Sequence, residues 1–383
     1  MIKHIQLILI LSILGIVSAC SETPQTENPE LESRLSKDAF LIESKSTFCP
    51  DKRVCVWTVE WDSVGTLIGE VSDEQAFIHL KEYCAQYEYP FNVALLPDAS
   101  IKEPFGLIKV SVAQIRSKPK HSSELLTQAL LGHPAKVIKQ ENDWLYVQLF
   151  DGYLGWIETL SFQAMSNADF DAWNNSNRAL VLDKFIPVYN EDDLVVNELV
   201  AGNIVQLSDN NKIVLPDNQS GYSPDLNYIS INEWGEAIFD IDQMIETAKG
   251  YMGIPYVWGG TSSKGFDCSG FTKTAFLLNG IQLPRDASQQ VHCGTLIDDS
   301  KQFDLLEVGD LLFFGRKVTD EKAEKVTHVG IYLGEGSFIH ASGEVRIQSL
   351  FKESPDFAPN RYDTYIRAKR ITADCIGSYQ QKL

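Results

Sequence analysis

The chain has no C-x-x-C pair among its seven cysteines, which excludes a zinc-finger framework. Basic residues are scarce: 33 Lys and Arg against 52 Asp and Glu leave a formal net charge of −19. A surface this acidic repels phosphate backbones, so no nucleic-acid partner is expected. Beyond residue 17 no apolar run approaches the roughly 20 residues that a membrane helix needs. Glycine and proline, at 25 and 15 of 383 residues, are too few for a collagen-like or low-complexity chain. Hydrophobic residues, at 44%, are too many for a wholly disordered one. At about 100–200 residues per domain, the length leaves room for two to four domains. Composition says soluble, acidic and multidomain, and stops there.

The first segment is built for export. Lys3 and His4 precede an apolar run, Ile5 to Val17, that suits a signal-peptide core and falls short of a bilayer span. The run ends in Val17-Ser18-Ala19-Cys20, which resembles a bacterial lipobox. That resemblance implies residues 1–19 as a lipoprotein signal peptide and a diacylglycerol on the Cys20 sulfur. The protein is then expected at a membrane of the bacterial cell envelope, held there through the lipid on Cys20. Ser21 in place of an aspartate implies the outer membrane, periplasmic side, where that sorting rule operates. Residues 20–37 are polar, carry Pro24 and Pro29, and read as a tether. The six remaining cysteines stand in an oxidising compartment. With one of them a catalytic thiol, at least one more stays unpaired, and Cys55 and Cys84 are candidates to meet within one domain.

Residues 38–103 read as a small α/β unit. Alternation from Arg53 to Trp61 predicts a half-buried strand, with Cys55, Trp57, Val59 and Trp61 on one face. Ser72 reads as the N-cap of a helix carrying Phe77, Leu80 and Cys84, and Phe91 to Leu96 as a further strand. From 104 to 162 the spacing changes to short strands: Lys109–Ala113, Ala135–Gln140, Trp144–Leu149 and Tyr153–Ile157. Such closely spaced strands predict a small antiparallel barrel, and 178–232 a second, weaker one. From 236 to 370 the pattern mixes helix and strand. Ile241, Met244, Ile245 and Ala248 form a helical stripe, and Phe271–Leu278 reads as a helix. Leu311–Phe314, Val326–Leu333 and Ser337–Ala341 read as strands.

Three pieces of that last region carry chemistry. Gly265-Phe266-Asp267-Cys268-Ser269-Gly270-Phe271 opens a helix, Val326-Thr327-His328-Val329-Gly330 is a strand with one histidine, and Phe338-Ile339-His340-Ala341 is a strand with a second. A thiol attacks a carbonyl as thiolate, and Cys268 at a helix N-terminus faces unpaired N–H groups that stabilise the anion. An imidazole then serves as general base, and a third group must hold its other nitrogen. His328 and His340 on adjacent antiparallel strands fit those two tasks. His292-Cys293 lacks any metal-ligand spacing around it and reads as structural; neither a metal nor a cofactor is expected.

The D-C-S-G-F, T-H-V-G-I-Y and F-I-H-A-S-G segments resemble the NlpC-type cysteine peptidases, papain-like enzymes that cut the peptides of peptidoglycan. Pro255-Tyr256-Val257-Trp258-Gly259-Gly260, Leu283-Pro284-Arg285-Asp286-Ala287-Ser288-Gln289-Gln290 and Val308-Gly309-Asp310-Leu311-Leu312-Phe313-Phe314 match in order as well. The resemblance implies Cys268 as nucleophile, His328 as general base, His340 as orienting residue, and Tyr256 beside the nucleophile to polarise the scissile carbonyl. Residues 111–119 and 151–157 (S-V-A-Q-I-R-S-K-P and D-G-Y-L-G-W-I) resemble bacterial SH3 domains. The whole is thus an α+β chain: a papain-like, NlpC-type domain preceded by two SH3-like barrels and a small N-terminal unit.

That architecture is similar to a subgroup of the family that cleaves between γ-D-glutamyl and an L-diamino acid and requires a free L-Ala amine. Peptidoglycan stem peptides are the implied substrate. The subgroup closes one end of its cleft with an acid and a tyrosine from the first barrel, which implies Glu124 and Tyr153 here. Asp267, Ser269 and Ser288 are the implied partners from the catalytic domain, with Asp267 and Glu124 together holding the ammonium group. Two other classes remain open: an acyl transferase on the same site, and an inactive wall-binding lipoprotein. A Cys268 that resists alkylation at pH 6 is the expected mark of the inactive form.

Overall fold

The computed structural model describes residues 29–371, apart from 209, 211 and 237. The signal segment and Cys20 lie outside those residues. A helix, Pro29–Phe48, opens the described chain and occupies the later part of the segment expected to be a tether. Packing decides this. Phe40 and Leu41 dock on the core beneath the helix, and the Phe40 ring stacks on Tyr83 with centroids 3.5 Å apart. Proline at the first helical position costs nothing, because its missing N–H would be unpaired there anyway.

The helix covers a three-stranded sheet of Glu60–Trp61, Leu67–Val71 and Phe91–Leu95. The expected strand from Arg53 to Trp61 is not formed over most of its length. A disulfide between Cys49 and Cys55 closes residues 50–54 into a loop; Glu60–Trp61 joins the sheet as a strand, and Trp57 adds a single bridge to Val71. The suggested meeting of Cys55 with Cys84 is therefore wrong; Cys84 is a free thiol buried in this unit's apolar core. The helix Glu74–Gln86 is capped by Asp73, whose Oδ1 accepts from the Ala76 N–H at 2.7 Å. Ser72, expected in that role, instead accepts from the Val56 N–H through Oγ at 2.9 Å.

A seven-stranded antiparallel barrel sheet follows, from Phe105–Ile108 to Phe162–Met165, around Ile115, Val137, Val147 and Ile157. The strand expected at Lys109–Ala113 is split, because residues 109–111 break between Phe105–Ile108 and Val112–Arg116. A five-stranded sheet with a separate two-stranded ribbon spans Arg178 to Ser230. Its Leu180, Ala201 and Ile204 belong to the same apolar core as the last region's Phe271, Phe276 and Met244.

The last region sets the helix Cys268–Leu277 against a six-stranded sheet. In the middle of that sheet Leu311–Arg316, Lys325–Gly334 and Ser337–Ser342 run antiparallel as neighbours. The helix is buried along its whole length, packed on this sheet and sharing a core with residues of the first barrel and of the Arg178–Ser230 region. Its Lys273 reaches into the first barrel and pairs with Asp151 at 2.9 Å, with both side chains buried. Burial alone would raise the Asp151 carboxyl, but the Lys273 charge and hydrogen bond outweigh it and hold the group below its usual range. This clamp fixes the first barrel against the helix that bears Cys268.

Candidate active site

Cys268 is the first residue of its helix, and Asp267 is the cap: its Oδ1 accepts from the Gly270 N–H at 2.7 Å. Gly270 has to be glycine because the helix presses on the Gly260 turn. A Cβ there would fall 2.0 Å from the Gly260 carbonyl oxygen. Asp267 also accepts from the Gly259 N–H at 3.1 Å and is ion-paired to Arg285 at 2.5 Å. The guanidinium continues into the first barrel, where Nε donates to Thr127 Oγ1 at 2.7 Å. One buried arginine thus joins the nucleophile's cap to the barrel.

The two histidines meet. With Ile331 opposite Ile339, His340 stands across from Gly330 and diagonal to His328 on one face. His328 Nε2 lies 2.7 Å from His340 Nδ1, and His340 Nε2 lies 2.9 Å from Gln348 Oε1. The amide oxygen of Gln348 accepts, so His340 carries its proton on Nε2. Its bare Nδ1 then accepts from His328 Nε2–H, leaving Nδ1 of His328 as the basic nitrogen. Gln348 fixes this order, and nothing in the sequence marks it, because it sits in an ordinary strand, five positions beyond Gly343, the end of the nearest recognisable motif.

The electrostatics differ from the sequence-based expectation of a thiolate. Burial and the Asp267 carboxylate push the Cys268 thiol up to about 11, against hydrogen bonds from the Val329 and Ser269 backbone. Burial, and then the charge of Arg361, hold His328 well below the usual imidazole range and His340 at about 3. The resting pair is a neutral thiol and a neutral base, so resistance to alkylation at pH 6 no longer separates an active enzyme from an inactive one. Tyr256 is raised to about 12 by burial, Cys268 and Asp267, and keeps its O–H as a donor.

Glu124, Tyr153, Tyr256, Asp267, Cys268, Ser269 and Ser288, all singled out from the sequence, line one cleft of about 540 Å³. His328 and His340 are buried and are not part of its lining. At the barrel end, Glu124 Oε1 accepts from the Trp258 indole N–H at 3.0 Å and pairs with no lysine or arginine among the described residues. Asp267, expected to share an ammonium group with Glu124, has its charge met by Arg285 already. Two further residues were missed. Asp286 takes the Tyr153 hydroxyl at 3.2 Å, and Arg53, from the disulfide loop, donates to both Asp286 and Ser288 at 2.8 Å. Asp286 stood inside a quoted motif block; Arg53 lies some 230 positions away and carried no signal.

Residues 253–357 match the NlpC/P60 family, and residues 115–161 match the bacterial dipeptidyl-peptidase Sh3 domain. The chain is 31% identical over 267 residues to a gamma-D-glutamyl-L-lysine dipeptidyl-peptidase of Bacillus cereus, covering 65% of this chain and 76% of that protein. It is 30% identical over 271 residues to dipeptidyl-peptidase 6 of Lysinibacillus sphaericus, covering 65% of this chain and 93% of that one. Among solved structures, an NlpC/P60 family protein from Bacillus cereus matches with a TM-score of 0.60 at 25% identity, over 71% of this chain and 100% of that chain. An NlpC/P60 endopeptidase from Photobacterium damselae shares the fold, with a TM-score of 0.53 at 15% identity, over 89% of this chain and 83% of that one.

Proposed function

We infer the reaction from a fixed starting point: this chain belongs to the NlpC/P60 family and is a cysteine peptidase of the cell-wall type. We propose that it hydrolyses the γ-D-glutamyl–L-diamino acid bond of peptidoglycan stem peptides that begin with a free L-Ala. Cys268 is the nucleophile, His328 the general base and His340 the orienting residue. The Cys268 sulfur attacks the γ-carbonyl carbon as Nδ1 of His328 takes the thiol proton. Tyr256 donates to the oxygen that gains charge. The intermediate collapses, the carbon–nitrogen bond breaks, and His328 returns the proton to the leaving amine. Water, activated by the same imidazole, then cleaves the thioester and releases the L-Ala-γ-D-Glu acid. Ser269 and Ser288 present hydroxyls to the bound peptide. The name of the Bacillus cereus relative, a gamma-D-glutamyl-L-lysine dipeptidyl-peptidase, supports the bond chosen.

The observation that carries the free-amine reading is Glu124 on the barrel wall of the Cys268 cleft, a carboxylate without a cation of its own among the described residues. An ammonium group there makes a charge-assisted bond that an acetylated or muramyl-linked nitrogen cannot. Acetylating the L-Ala amine should lower kcat/KM at least tenfold, the order expected for an unpaired charge in a specificity site. Glu124→Gln should narrow that gap. Equal kcat/KM for matched free and N-acetylated tripeptides would mean an open cleft acting on polymeric wall.

We propose in addition that Cys20 carries the lipid anchor, on the strength of the apolar run that stops at Val17-Ser18-Ala19-Cys20. Cys20→Ser should move the protein from the membrane to the soluble envelope fraction. Wild-type protein found soluble, with an N-terminus other than Cys20, would remove the assignment.

A further inference from the structure

Four buried or half-buried arginines of this acidic protein have carboxylates to hold. Arg53 pairs with Asp51 and Asp286, Arg285 with Asp267, Arg367 with Glu324, and Arg370 with Glu307 and Asp310. Arg361 does not. Arg361 is half-buried in the short helix Pro359–Thr364, and its neighbours are neutral: Nη2 donates to Ser342 Oγ at 3.3 Å, and the guanidinium lies 5.9 Å from the Phe314 ring. No carboxylate among the described residues comes within ion-pair distance of it.

Its place relative to the nucleophile follows from those two contacts. Ser342 ends the strand that carries His340, two residues on. Phe314 lies on the next strand but one, and its ring is 5.8 Å from the His328 ring. Arg361 therefore stands beside the strands that carry His328 and His340, outside the lining of the cleft that Glu124 and Tyr153 share with Cys268. Its charge reaches the reacting groups: it interacts electrostatically with Cys268 and Tyr256 and depresses both histidines. Removing a guanidinium from water without a counter-charge is unfavourable, and an anion supplied by the ligand corrects it.

We propose that Arg361 forms a subsite for a carboxylate carried by the leaving diamino acid residue. The inference rests on the assignment of the cleft's barrel end to the substrate amine, which puts the leaving residue on the histidine side. Two sources offer that chemistry: the main-chain α-carboxylate of a diamino acid at the peptide's C-terminus, and a side-chain carboxylate such as that of diaminopimelate. A lysine side chain, ending in an ammonium group, is repelled by the same arginine.

The test uses the full chain and four tripeptides that begin L-Ala-γ-D-Glu. They end in lysine, lysine α-carboxamide, diaminopimelate, or diaminopimelate with only its α-carboxyl amidated. Wild type should prefer a carboxylate-bearing leaving residue over lysine α-carboxamide by about tenfold or more in kcat/KM. Rank among the other three identifies the source: high activity on the α-amidated diaminopimelate peptide assigns the side chain, and low activity assigns the α-carboxylate. In Arg361→Gln that preference should collapse towards unity, and Arg361→Lys should restore part of it. A preference unchanged in Arg361→Gln, with its melting temperature retained, would overturn the subsite. Loss of melting temperature with an unchanged preference in Arg361→Lys and Arg361→Gln alike would assign Arg361 to folding and overturn it equally. Wild type that cleaves none of the four, or cleaves another bond, would instead refute the reading of the reaction on which the subsite stands.

Discussion

Cys268→Ala should abolish hydrolysis of stem peptides, with a loss of about 10⁴-fold or more in kcat. The substitution removes the sulfur and adds no bulk to a helix that is buried along its length, so the fold and melting behaviour should persist. His328→Ala should cost nearly as much. The other candidate groups near Cys268 among the described residues are engaged: Tyr256 is held protonated, Asp267 is paired with Arg285 and His340 is turned to Gln348. His340→Ala should cost less, because the base remains but loses the partner that sets its tautomer. The pH dependence should follow from a neutral pair. The free thiol, pushed up to about 11, should react with an alkylating agent slowly at pH 6–7 and faster as the pH rises towards that value. Turnover, in contrast, needs only neutral His328 and should survive to mildly acidic pH. Full turnover by the Cys268→Ala protein would end the nucleophile assignment.

Arg285→Met should be the most damaging change outside the reacting groups, lowering stability by about 3–5 kcal/mol, the usual result of removing one partner from a buried pair. The side chains of Arg285 and Asp267 are 1% and 11% exposed, so the aspartate left behind has little water to replace the guanidinium. The same change deletes the donor to Thr127 Oγ1 and loosens the barrel from the catalytic region. Activity should fall with it, because Asp267 caps the helix that aims Cys268. Adding Asp267→Asn removes the uncompensated charge while keeping a capping oxygen, and should recover part of the loss. Denaturant midpoints of the single and double variants measure this, and a shift below about 1 kcal/mol for Arg285→Met would show that the pair is not the joint it is described as.

Much of this protein was legible before folding was considered. Cys268 at a helix start, with His328 and His340 on successive strands, is a local pattern: capping chemistry and strand alternation are set by residues within a few positions of one another. The apolar stripe of the helix Ile241–Gly250 is local in the same sense. The misreadings came where distant packing outweighs local preference. Polar residues up to Lys37 read as a tether, yet the helix runs through them because Phe40 and Leu41 have a core to enter. The alternating stretch from Arg53 to Trp61 is an adequate strand on its own terms, but closure of the loop by Cys49 and Cys55 removes its first half from any sheet.

At the site the division is sharper. Residue types and order along the chain determined which groups could do chemistry. Tertiary structure alone decided their charge states and partners, because both depend on burial and on side chains brought from far away. The helix N-terminus favours a thiolate, yet burial beside Asp267 outweighs it. Asp267 looked available for a substrate amine, yet Arg285 already holds it, which leaves Glu124 as the open carboxylate. Gln348, Arg53 and Arg361 could not be found by spacing, since what matters in each is a hydrogen bond, a reach between units or a missing counter-charge. Electrostatic energy depends on distance and solvent exposure, and neither is written in the order of residues.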